Sequence, residues 1–192
     1  MTPEFYKTFS LIFHMPDREF AGYLRNGFID DIRFLESDSI AGFSDFLKDN
    51  RGKDDEIFYN TLAVEYTRLF INATPKAPCP PYESMYRENV IMGDSTLDVM
   101  DRFRRAGLKV AGNFHDLPDH VAVEMEFLYY LMNYGHTEEH ASFMKEHFSK
   151  WVPEFCKEVE KNDRTGFYRH AAKVLTEFIN KEEWMVNNEV MK

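Results

Sequence analysis

Long apolar runs, cysteine and positive charge are all scarce in this sequence of 192 residues. No stretch approaches the about 20 apolar residues that a membrane-spanning helix requires. The opening MTPEFYKTFSLIFHMPDREF has neither a basic leader nor a small-residue cleavage site, so the expected location is the cytoplasm. Arg104-Arg105 falls in mid-chain and is no export signal of its own. Cys79 and Cys156, the two cysteines, form no metal-binding or redox spacing and are expected as free thiols. With 23 basic against 33 acidic side chains the net charge is −10, which disfavours a nucleic-acid binder and favours cationic peptides as partners. Glycine-rich phosphate loops and the G-x-S-x-G elbow are missing, which removes those nucleotide-binding and serine-hydrolase classes. Glu-x-x-His is missing too, and a carboxylate-bridged di-iron bundle needs two such pairs.

Strand-like alternation is also lacking, and helical spacing is present almost throughout. Hydrophobic residues make up 44% and aromatics 16%, enough for a sizeable core. Thr2-Pro3-Glu4 starts a first helix to about His14 with Phe5, Phe9, Ile12 and Phe13 on one stripe. Asp17 caps a second helix ending at Gly27, two helical segments fill 29–47, and Asn50-Arg51-Gly52 stops them. Asp54-Asp55-Glu56 places acids at the positive end of the next helix, with Ile57, Phe58, Leu62, Val64 or Glu65, and Leu69 marking its turns. Gly93-Asp94-Ser95 opens another, and Gly107 sits where a left-handed C-cap belongs. Asp116 or Asp119 with Pro118 starts an apolar helix to about Tyr134, closed by Gly135. Thr137 is expected to cap a helix to Lys150, Trp151-Val152-Pro153-Glu154 to begin a separate one, and 167–186 to form the last. The expected fold is all-α: a single domain over 1–192, of about ten helices in two packed halves, with a hinge over 108–118.

Three stretches could carry function. The first is EYTRLFINATPKAPCPPYESMY, residues 65–86, where Pro75, Pro78, Pro80 and Pro81 stiffen the loop after a helix presenting Tyr66 and Phe70 four apart. It reads either as a rigid connector or as a docking element. The second is Asp119-His120 with Glu124. His120 and Glu124 share a helical face, and the neighbouring carboxylates favour an imidazolium. The plainer reading makes Asp119 a helix N-cap and His120 a residue hydrogen-bonded to Glu124. The third is His136-Thr137-Glu138-Glu139-His140, which matches the H-x-x-E-H pattern of inverted zinc proteases. The alternative function on that pattern is a small zinc hydrolase using His136, Glu139 and His140. Surface histidines at a helix start are the commoner meaning of so short a match.

EYTRLF, PPYESMY with the later Gly93, DHVAVEMEFL, and EHFSKW followed by FYRHAAKVLTEFI together resemble the TorD/DmsD/NarJ family of redox-enzyme maturation chaperones over roughly 62–181. The resemblance implies an all-helical fold, no catalytic chemistry and no cofactor. It also implies binding of an immature molybdopterin-dependent oxidoreductase subunit, often through its twin-arginine signal peptide. The peptide site it implies is Tyr66, Leu69, Phe70, Pro81, Tyr82, Glu83, Ser84, Asp119 and His120. Many members carry a glycine soon after the Leu-Phe pair, where this chain has Ile71-Asn72-Ala73-Thr74. Association is expected as a monomer with a minor dimer formed by exchange of halves about the hinge.

Overall fold

The computed structural model describes residues 3–32, 38–72, 76–108 and 116–189, with side chains as far as Lys181. Pro3 and Glu4 open α1 (Pro3–Ser10), which tightens into a 3-10 turn over Leu11–Phe13 and buries Phe5, Tyr6, Phe9, Ile12 and Phe13. Asp17 caps α2 (Arg18–Asn26) by accepting from Phe20 N at 2.7 Å. α3 (Phe28–Ile32) and α4 (Asp38–Asp49) follow. Asp54 caps α5 (Asp55–Tyr66) by accepting from Glu56 N and Ile57 N. α5 runs on into a π-helical turn over Thr67–Ile71. Beyond the proline loop come α6 (Glu83–Arg87), α7 (Asp94–Arg105) and α8 (Val121–Asn133). The left-handed glycine expected after α7 is present, at φ 81° for Gly107, and Gly135, expected to close α8, is left-handed too, at φ 77°.

The expected break before Trp151 does not occur. α9 (Thr137–Phe143), a π turn over Met144–Phe148 and α10 (Ser149–Asn162) form one continuous rod with Pro153 inside it. Trp151, Val152 and Phe155 around the proline are all buried, so packing outweighs the one missing backbone donor. Thr137 is the first residue of the rod, and His136 occupies its N-cap position. α11 (Phe167–Glu189) completes the set: ten separate helices, and no named strand among the described residues.

α1 lies along α8, α4 lies on α11, and α10 pairs with α11, so early and late helices share one core. Phe70 sits at its centre, its ring 5.9 Å from Phe155, 5.2 Å from Tyr168 and 4.9 Å from Tyr66. Most of the expected hinge, 109–115, falls outside the described residues, as do Leu35, expected to face inward from the 29–47 segments, and Pro75. Of the two inward candidates on α5, Glu65 is buried and Val64 is 68% exposed; Ile57, also expected inward, is 59% exposed. Glu65 faces inward because its carboxylate accepts from Arg68 Nε at 2.8 Å and from the Arg164 backbone N–H at 2.6 Å. EYTRLF is thus a structural clamp that ties α5 to the end of α10 and the turn before α11.

Candidate functional site

The stiff loop returns to the chain it left. Cys79 N donates to Leu69 O at 3.0 Å, folding the prolines back against the π turn. Pro80 and Pro81 have no N–H to satisfy, and Tyr82 emerges extended, at φ −126° and ψ 130°. There it forms an isolated antiparallel bridge with His120. Val121 N donates to Pro81 O and Glu83 N to Asp119 O, both at 2.9 Å. Asp119 Oδ2 accepts from Ser84 N at 3.0 Å, so this aspartate caps α6, not the helix that follows it. α8 is capped by His120, whose Nδ1 accepts from Ala122 N at 3.2 Å and so leaves the proton on Nε2.

Pro81, Tyr82, Glu83, Ser84, Asp119 and His120 are therefore brought into one knot, while Tyr66, Leu69 and Phe70 lie in the aromatic core behind it. Tyr82 alone among these candidates is half-buried, and the rest are buried. Tyr66 is occupied by a hydrogen bond from its hydroxyl to Phe13 O at 2.9 Å.

The charges are arranged differently from the sequence expectation. Burial, the largest influence, pushes His120 down to about 4 despite the nearby Asp116 charge, so it is a neutral imidazole. Glu124 does not reach it; its Oε2 accepts from Trp151 Nε1 at 3.0 Å. The imidazolium is His14, which the sequence reading missed. Its ring stacks on His120 with centroids 6.0 Å apart and 12° between planes. Its Nε2 lies 2.9 Å from Glu126 Oε1 and its Nδ1 3.7 Å from Asp116 Oδ2. Burial opposes the charged form, but the facing Asp116 carboxylate and the hydrogen bond to Glu126 together prevail and raise His14 to about 9. Nothing local marks His14, whereas Glu126, an acid in the apolar run VAVEMEFL, was a visible signal.

Beneath the knot, Glu83 is fully buried and faces His147 Nδ1 at 2.9 Å and Arg87 Nη1 at 2.5 Å. His147 Nε2 stands 3.2 Å from Asp98 Oδ2 without the alignment of a hydrogen bond. Ser84 Oγ, Asp119 Oδ1 and Glu124 Oε1 are buried with no hydrogen-bonding partner among the described residues. Burial first, and then the charge of Glu83, raise Glu124 well above the usual carboxylate range, with the Trp151 N–H opposing them. A raised carboxyl binds its proton on folding, so its contribution is present below the unfolded value and lost as pH rises towards the folded one. Glu124→Gln, which keeps the acceptor for Trp151, should remove that loss. Denaturant titrations from acid to neutral pH should show wild-type stability falling relative to the variant by up to about 1.4 kcal/mol per pH unit. Parallel curves would contradict a proton on Glu124.

The H-x-x-E-H residues turn to three different partners. His136 is exposed and stacks on Tyr130 at 5.8 Å, and Glu139 accepts from Arg102 Nη1 at 2.9 Å. His140 is buried with Nε2 3.2 Å from the Tyr6 hydroxyl, and burial lowers it to about 4. They do not converge, and no metal-holding group of His, Cys, Asp or Glu forms among the described residues. Cys79 and Cys156 are free and buried, and burial pushes both thiols up to about 12.

Residues 37–157 match the family described as nitrate reductase delta subunit. Chaperone protein TorD of Vibrio parahaemolyticus serotype O3:K6 is 30% identical over 158 residues, covering 74% of this chain and 73% of that one. Chaperone protein TorD of Vibrio cholerae serotype O1 (strain ATCC 39541) is 25% identical over 146 residues, or 70% and 66% of the two lengths. A crystal structure from Archaeoglobus fulgidus, described as a redox enzyme maturation protein, matches at 32% identity with TM-score 0.67 over 94% of each chain.

Proposed function

Because the chain belongs to the nitrate reductase delta subunit family, with TorD chaperones among its relatives, we propose that it is a maturation chaperone for a molybdopterin-dependent oxidoreductase subunit. It acts by binding, not by catalysis, and holds the immature catalytic subunit through a twin-arginine signal peptide. No described helix is long and apolar enough to cross a membrane, and we place this work in the cytoplasm, before export.

The observation that carries the reading is the row formed by Tyr82, His120 and His14, with Tyr82 and His120 centroids 5.2 Å apart. At one end Tyr82 offers a half-buried ring; at the other, Asp116 and Glu126 hold an imidazolium. Two carboxylates already gripping one flat cation are suited to exchanging it for guanidinium groups. The buried members, Glu83, Ser84 and Asp119 above all, keep that row in place.

His14 is then a resident competitor for the arginine pair. Titration of a synthetic peptide carrying Arg-Arg and an apolar stretch should show several-fold tighter binding to His14→Gln than to the wild type at neutral pH. For the wild type, affinity should rise as pH passes through about 9, where His14 loses its charge; for the variant it should stay level. Weaker binding by His14→Gln would contradict the exchange.

A further inference from the structure

Seven residues after Tyr82, the chain does something costly. Asn89 and Met92 both adopt left-handed backbone, at φ 56° and 61°, a conformation unfavourable for any residue with a Cβ and less so for asparagine. Between and beside them Val90, Ile91 and Met92 are 50%, 55% and 65% exposed, and Leu97 on the first turns of α7 is 55% exposed. The turn is held by neighbours, since Glu88 Oε2 accepts from Ser95 Oγ at 2.7 Å. A Cβ on Gly93 would stand 2.7 Å from that same Glu88 oxygen and 3.2 Å from Val90 Cγ1, so a side chain there would displace Glu88 from Ser95. A specified, strained loop that pushes consecutive apolar side chains into water is the pattern of a contact surface.

We infer that the tip formed by Val90, Ile91, Met92 and Leu97 docks the apolar stretch of a peptide whose basic end is held at Asp116 and Glu126. This rests on the peptide-binding reading above and adds to it the place of the apolar part. The occupant follows from charge. Glu88, Asp94 and Asp98 are exposed around the tip, and its neighbouring cation, Arg87, is taken up by buried Glu83. An anionic lipid surface would meet these acids in repulsion, and so would the same face of a second copy. A basic-flanked apolar helix is attracted at its ends and buried in its middle. The apolar groove lined by Met15, Ala63, Val64, Thr67, Arg68 and Asn72 has no acid in its lining, and its Arg68 is already paired with Glu65, so it lacks the acids that would attract a basic flank.

The test uses the full chain and a fluorescent synthetic peptide with Arg-Arg followed by an apolar helix. Ile91→Ser combined with Met92→Gly should weaken binding about tenfold, with the melting temperature unchanged or raised, because glycine relieves the left-handed strain. Val64→Ser, in the other groove, should bind as the wild type does. Equal binding by the tip variant and wild type overturns the inference while leaving the peptide reading intact. So does a loss confined to Val64→Ser. Failure of the wild type to bind the peptide at all overturns both. Tip-dependent binding to vesicles of phosphatidylcholine and phosphatidylglycerol, or a tip-dependent dimer in light scattering, would assign the surface to lipid or to a second copy instead.

Discussion

Glu83→Ala is expected to lose roughly 3–5 kcal/mol of stability and to melt on the order of 10 °C below the wild type. The carboxylate has no exposed surface and serves His147 at 2.9 Å and Arg87 at 2.5 Å. Its removal strands His147, itself 1% exposed, beside the single carboxylate of Asp98. It also loosens the start of α6, whose first N–H groups are held by Asp119. Calorimetry of Glu83→Ala and Glu83→Gln separates charge from volume: the glutamine, still an acceptor, should fall between alanine and wild type. A melting temperature within a degree or two of wild type would mean that the buried network does not hold the knot.

Tyr82→Ala should have the opposite profile, with peptide affinity reduced about tenfold, or roughly 1.4 kcal/mol, and little change in melting. Tyr82 is half-buried, and its ring meets His120 edge-on at 5.2 Å, so a bound peptide can cover what the core does not. Asp119→Asn is the informative contrast. Asp119 is fully buried and its side chain caps α6, so the variant should lose stability on the order of 1 kcal/mol while the folded fraction keeps its affinity. Peptide titration with parallel thermal melts distinguishes the two. A matched loss of affinity in both variants would place Asp119 in contact with the peptide, which requires α6 to lift away.

Helix starts were readable at Asp17 and Asp54, where the signal was local, though at Thr137 the same kind of signal was one residue off, since His136 holds the N-cap position. Asp17 and Asp54 cap the helices they precede, and Gly107 and Gly135 end theirs with positive φ. Reading failed where a distant partner decided. Asp119 stands before α8 as a cap should, yet its carboxylate is drawn to Ser84, 35 residues earlier. Pro153 looked like a helix start, but the burial of Trp151 and Phe155 carries the rod through it. Within the candidate site, the family motifs named residues that meet in space, and the Tyr82 to His120 bridge joins the two stretches they come from. Their burial was not legible, because the groups that enclose them, Trp151, His147 and the aromatic core, belong to other parts of the chain. His14 was hidden for the same reason: its two acids lie more than a hundred residues away.

The central claim, that this chain holds an immature molybdoenzyme subunit, is tested most directly by affinity capture of the tagged protein from its source cell, beside Tyr82→Ala as control. The expected dominant partner, identified by mass spectrometry, is a molybdopterin-dependent catalytic subunit still carrying its signal peptide, with recovery reduced for the control. Recovery of only ribosomal or nucleic-acid-associated proteins, or of the same proteins by both baits, would contradict it.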